Sequence, residues 1–217
     1  MISHKYQCIF VHIPKCGGTS LEHIIWPEPR RESDLWMGFV DKYHNKYQTG
    51  GLQHLFARQI IQEVGEQAFH KYFKFSFVRN PWDKAVSQFS YMKQREDLRE
   101  YIGLNENDSF KTYLGKIQSK THVQWEKQYK FILDDRGKLL IDFLGRFEHI
   151  KQDVESIFDR LHIHAELPHV NATTHAHYST YYDTESIEMV AEFYADDIKL
   201  FKYSFDDQKK NNQKLIQ

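Results

Sequence analysis

The stretch Ile9-Phe10-Val11-His12-Ile13-Pro14-Lys15-Cys16-Gly17-Gly18-Thr19-Ser20-Leu21 decides how this chain is read. Its apolar start predicts a buried strand over Tyr6 to Ile13. Pro14 and two glycines then make a turn, and a helix follows from Thr19 to about Ile25. Strand, Gly-rich turn and helix N-terminus together form an anion site, because backbone N–H groups converge there and the helix dipole favours negative charge. Gly17 and Gly18 permit positive φ and close approach of a ligand to the backbone. Lys15 adds a cation, Thr19 and Ser20 add hydroxyl donors, and the run from Lys15 through Cys16 to Ser20 is the candidate binding segment. The plainer alternative is a simple turn with Thr19 as helix cap, since Thr19-x-x-Glu22 fits a capping box.

Two familiar phosphate loops do not fit. The G-x-x-x-x-G-K-[ST] loop has its lysine after the glycines, whereas Lys15 precedes them. A cysteine-phosphatase loop built on Cys16 needs an arginine six residues on, and Glu22 stands there with the wrong charge.

Outward from this stretch, the composition is that of a soluble globular protein: 217 residues, 41% hydrophobic and 27% charged. Net charge is −1, so no global basic field points to nucleic acid, and a polyanionic ligand would have to meet a local cluster of Lys and Arg. No apolar run reaches the ~20 residues of a membrane span. Met1 to Tyr6 lacks the apolar core of a signal peptide. The two cysteines, Cys8 and Cys16, read as thiols in a reducing, cytoplasmic compartment.

Trp26-Pro27-Glu28-Pro29 breaks the first helix, and the irregular Arg30–Gly51 stretch is expected to border an acceptor site. Leu52 to Val64 has helical period, with His54 in its first turn. Tyr72 to Val78 alternates Phe73, Phe75 and Phe77 on one face and predicts a strand. Directly after it, Asn80 suits an N-cap, Pro81 the first helical position and Asp83 the positive helix end, with Ser87 about two turns in. Arg95 to Lys120 reads as short helices and loops, and Thr121–Lys130, with Trp125 and Tyr129, as a cleft wall. Asp134 to Gly137 is a turn, Leu139 to Arg146 a third strand, Glu148 to Leu161 an amphipathic helix and Glu185 to Leu200 the last clear helix. From Asp206 the tail is polar. His162-x-His164 and His175-x-His177 lack a nearby Cys or carboxylate at ligand spacing, so no metal site is expected. Strands each followed by a helix imply an α/β fold: a single domain with a parallel sheet flanked by helices. Ligands of such sheets bind beyond strand carboxyl ends, where both candidate turns lie.

Pro14-Lys15-x-Gly17-Gly18-Thr19-Ser20, paired with strand-Arg79-Asn80-Pro81 and Ser87, resembles the sulfotransferases that use 3′-phosphoadenosine 5′-phosphosulfate (PAPS). Further matches are Gly50-Gly51-Leu52-Gln53-His54-Leu55-Phe56-Ala57, Phe143-Leu144-Gly145-Arg146-Phe147-Glu148, Asn171 and Asp197-Ile198-Lys199-Leu200-Phe201-Lys202-Tyr203. They resemble the carbohydrate-type and bacterial branch and extend over residues 6 to 205. The resemblance implies a P-loop-like phosphosulfate loop and one sulfotransferase domain over residues 1–205, with 206–217 a polar tail. It implies sulfuryl transfer to a hydroxyl or amine of a carbohydrate or small-molecule acceptor, releasing adenosine 3′,5′-bisphosphate without a metal. In that scheme Lys15, Cys16, Gly17, Gly18, Thr19 and Ser20 hold the phosphosulfate, and Lys15 stabilises the leaving oxygen. Arg79 and Ser87 hold the 3′-phosphate, and His54 is the general base. The C-terminal tail lacks the glycines with which the phenol and steroid branch holds the nucleotide, leaving Arg146 as a candidate contact. A kinase-like phosphoryl transferase would need a lysine after the glycines and a metal-binding carboxylate. A non-catalytic binding module would keep Lys15 and Arg79 without needing His54.

Overall fold

The computed structural model describes residues 1–27, 54–165 and 176–205. The expectations for Arg30–Gly51, the start of the helix at Leu52, Asn171, His175 and the tail from Asp206 fall outside the described residues. In chain order the elements are β1 (Ile2–Ser3), β2 (Cys8–Val11), α1 (Gly18–Ile25), α2 (Ala57–Val64), α3 (Glu66–Lys71), β3 (Phe73–Val78) and α4 (Pro81–Met92). There follow α5 (Glu96–Ile102), α6 (Phe110–Gln118), α7 (Tyr129–Ile132), β4 (Phe143–Arg146), α8 (Ile150–Leu161), α9 (Thr184–Phe193) and α10 (Ala195–Phe201). The chain divides into two compact units, residues 1–79 with 121–172 and residues 80–120 with 173–217.

The first unit carries the sheet, in the order β1-β2-β3-β4. β2, β3 and β4 run parallel, as the alternation of strand and helix requires. All four residues of β2 are buried, which fits a parallel sheet covered on both faces. Phe10 and Phe75 sit opposite each other with rings stacked at 5.0 Å. β1, which pairs antiparallel with β2, was not anticipated; two residues are too short to show a period.

The third strand is shorter than the expected Leu139–Arg146. Leu139 bridges to Leu133, and Leu140 donates to the Ile132 carbonyl at 2.8 Å, so this part pairs with the end of α7 and only Phe143–Arg146 joins the sheet. Gly145 allows the close approach: a Cβ there would lie 2.4 Å from a ring carbon of Phe77. α2 starts at Ala57 because the Gln59 side chain accepts from the Phe56 N–H at 2.9 Å and ends the helix there. In α8, Val154, Ile157, Phe158 and Leu161 face inward, and Ile150 is half-buried.

The second unit is helical, and the start of α4 follows the sequence reading. Asn80 accepts from the Trp82 N–H at 3.0 Å, Pro81 is the first helical residue, and Asp83 lies in the first turn. Phe89 packs on Phe110 and Tyr113. The expected single helix over Glu185–Leu200 is two, α9 and α10, interrupted at buried Tyr194 with φ −109° and ψ 26°. Among the described residues no helix is long and apolar enough to cross a membrane.

Candidate functional site

β2 delivers the chain into a turn with two left-handed residues, Lys15 (φ 65°) and Gly17 (φ 84°). Lys15 pays a conformational penalty there that glycine would not, the kind of strain that is held in place by its surroundings. Gly17 is the N-cap of α1, which therefore begins at Gly18 rather than Thr19, and no side chain caps it. A glycine cap brings no side-chain acceptor of its own to the helix start, which suits an anion site. The capping-box alternative is overturned: Thr19 is exposed, and Glu22 is buried with Oε1 2.5 Å from His12 Nδ1.

The two glycines serve different needs. A Cβ on Gly17 would lie 2.4 Å from Ile150 Cδ1 and 3.1 Å from Phe147 Cδ2, besides the strain of its positive φ. Gly18 does not adopt the positive φ the sequence allowed. It is small because His12 fills the space, with Nε2 2.4 Å from where a Cβ would stand. Ser20 is buried. Cys16 is buried, 1% exposed, and its thiol donates to Gln128 Oε1 at 3.3 Å and to the Pro14 carbonyl at 3.6 Å.

Arg79, one residue past β3, meets this loop directly. Its Nη1 donates to the Lys15 carbonyl at 3.0 Å, and its guanidinium lies 3.9 Å over the Phe147 ring. Its backbone is clamped by Gln128, whose Oε1 accepts from the Arg79 N–H at 2.8 Å and whose Nε2 donates to the Arg79 carbonyl at 2.9 Å. Two motifs 64 residues apart are thereby joined through one side chain.

His54 is buried just before α2, not in its first turn. Its Nδ1 lies 3.1 Å from the His12 carbonyl, so Nδ1 carries the proton and Nε2 holds the lone pair. The rings of His54 and His12 meet edge to face at 4.6 Å. Burial, with His12 and His122 adding to it, pushes the His54 pKa down to about 3, against the raising influence of the His12 carbonyl and the Glu22 carboxylate. The imidazole is neutral across ordinary assay conditions.

Ser87 is a buried residue of α4 in the second unit. Arg146 ends β4, half-buried, with its N–H donating to Asp153 Oδ2 at 2.7 Å. Trp125 is not a cleft wall: it is 2% exposed and stacks on His122 at 4.8 Å. His162 ends α8 in a left-handed conformation, and His177 caps the short turn at Tyr178. Among the described residues no cluster of His, Cys, Asp or Glu could hold a metal ion. The sequence reading missed Gln128, His12 and Glu22. His12 and Glu22 lie within or beside the opening stretch, and a buried polar residue ending a strand was the available signal.

Residues 1–204 match the family described as "Sulfotransferase family". A relative from Archaeoglobus fulgidus, described as an uncharacterized protein, is 29% identical over 111 residues, which is 51% of this chain and 85% of that one. No solved structure matches the chain.

Proposed function

Because the chain belongs to the sulfotransferase family, we propose that it transfers the sulfuryl group of PAPS to a hydroxyl or amine of a carbohydrate or small-molecule acceptor, with residues 1–205 as the sulfotransferase domain. The observation that carries this reading is the bond from Arg79 Nη1 to the Lys15 carbonyl, which ties a cationic strand end to an uncapped helix N-terminus. The donor set fits an anion: backbone N–H groups of a left-handed turn, an ammonium, an exposed threonine hydroxyl and a guanidinium. It also suits a ligand without a metal of its own.

When bound, PAPS supplies an activated sulfuryl group and leaves as adenosine 3′,5′-bisphosphate. The residues Lys15 to Ser20 hold the 5′ end through backbone N–H groups and the Thr19 and Ser20 hydroxyls. Lys15 neutralises the charge that grows on the leaving oxygen. Arg79 and Ser87 serve the 3′-phosphate, and Arg146 is the candidate on the nucleoside side. His54 Nε2 accepts the acceptor's proton, since Nδ1–H is committed to the His12 carbonyl. A base this weak in the resting protein works only once the bound acceptor and sulfuryl group stabilise the imidazolium that forms. Positioning and charge neutralisation therefore supply most of the rate.

The test is turnover of labelled PAPS over a panel of sugars and small hydroxyl compounds, with a thermal scan against adenosine 3′,5′-bisphosphate. A ligand of the folded state raises the melting temperature, turnover survives a chelator, and His54→Ala lowers it ~10²–10⁴-fold while ligand binding persists. No thermal shift with excess bisphosphate refutes the donor assignment. Loss of turnover with chelator points to phosphoryl transfer, and binding without turnover points to a non-catalytic module.

A further inference from the structure

Deepening the donor reading above, on which its ligand arm rests, we propose that Gln128 is a positioning residue that holds the Lys15–Ser20 turn and the Arg79 turn in fixed register. Gln128 is 0% exposed and stands immediately before α7. Its side-chain amide carries an acceptor and a donor spaced like those of a peptide group. It uses them as a neighbouring strand would, taking the Arg79 N–H at 2.8 Å and donating to the Arg79 carbonyl at 2.9 Å. This happens one residue beyond Val78, the last β3 residue to pair with β4. The sheet has stopped supplying partners there, and Gln128 replaces them.

A two-point contact fixes rotation as well as position, so it sets the direction in which the Arg79 side chain leaves the backbone. That direction brings the guanidinium onto Phe147 and to the Lys15 carbonyl. The same Gln128 Oε1 lies 3.3 Å from the Cys16 thiol, which ties the loop by a second route. One amide thus reaches residues 49 and 112 positions away in the chain. Lys15, held left-handed between Arg79 and Cys16, is the residue most exposed to any slip.

The test uses the full chain as Gln128→Met, which keeps length and flexibility and removes both polar atoms, and as Gln128→Glu, which keeps the acceptor and loses the donor. Backbone hydrogen exchange without ligand is expected to quicken at least tenfold in peptides spanning Lys15–Ser20 and Arg79, while β2 and α8 keep their protection. Gln128→Glu, which sets a buried carboxylate oxygen against the Arg79 carbonyl where the amide donated, is expected to quicken exchange at Arg79 at least as much as Gln128→Met. Calorimetric titration with adenosine 3′,5′-bisphosphate is expected to show at least tenfold weaker binding for Gln128→Met. Unchanged exchange in the two turns overturns the proposal, and so does an equal rise across the whole sheet, the signature of a residue that only packs. If the local exchange pattern appears but wild type ignores the bisphosphate, the register role stands and the donor reading fails.

Discussion

Gly18→Ala isolates the contact on which the first turn depends. The added methyl would stand 2.4 Å from His12 Nε2, 2.5 Å from Cδ2 and 2.9 Å from Cε1, where ordinary contact needs 3.4 Å or more. His12 or the helix start must therefore move by about 1 Å. His12 has little room: Nδ1 is 2.5 Å from Glu22 Oε1, and its ring stacks on Phe10 at 5.1 Å and meets His54 at 4.6 Å. Overpacking of this kind costs about 1–3 kcal/mol, or roughly 2–12 °C of melting temperature for a chain of this size. A shift of ~1 Å at the turn also misaims its N–H groups, so ligand affinity and turnover fall by ~10²-fold. Urea unfolding and calorimetry on Gly18→Ala, His12→Ala and the double variant separate the contact from general damage. His12→Ala is destabilised itself, since Glu22 loses a partner, but it removes the obstacle. Gly18→Ala should then add little, giving a coupling of about 1 kcal/mol or more. Additive losses, within about 0.5 kcal/mol, would show that His12 is not what requires glycine at position 18.

His54 also makes stability depend on pH. Its folded pKa is lowered to about 3, so between that value and the unfolded ~6.5 the unfolded chain binds a proton that the folded one refuses, and stability falls as pH drops through this window. Between pH 6.5 and 5 the loss reaches about 2 kcal/mol, and it should be absent from His54→Ala; identical urea midpoints against pH for the two proteins would remove the assignment. Arg79→Ala should weaken PAPS and adenosine 5′-phosphosulfate together, because the guanidinium, through the Lys15 carbonyl, braces the turn whose N–H groups serve both. The loss for PAPS should be the larger by ~10-fold or more, one charge-assisted bond to the 3′-phosphate. Equal losses in a two-donor titration would leave Arg79 as a brace alone.

What the sequence makes legible is what local chemistry punctuates. Gly17, Pro14 and the run of Val and Ile mark the first turn, and Asn80-Pro81 marks the start of α4, because caps and restricted φ act within a few residues. The fold class follows from strands that alternate with helical stretches. The reason for Gly18 is different in kind: it comes from His12 six residues earlier and from the Glu22 that restrains it. Gln128 is further still, since nothing around position 128 signals that its amide completes a strand end at Arg79. The inward turn of Cys16 has the same origin. Tyr194 interrupts the last helical run without Gly or Pro, where burial outweighs helical period.

The sheet's register also says how this chain is made. Cys8 on β2 faces Phe73 on β3, and Phe75 on β3 faces Phe143 on β4. A ribosome adding about 5–20 residues per second needs roughly 3–13 s between making Cys8 and making its parallel neighbour, and a similar interval before β4 arrives. Throughout the first wait the nascent chain displays Cys8-Ile9-Phe10-Val11, an apolar strand with both faces destined for burial and only β1 to cover one edge. Such long-range pairing slows folding and leaves a sticky edge open to neighbouring chains. Yield on overexpression should therefore respond to holding chaperones and lower temperature more than to changes in the finished protein's stability.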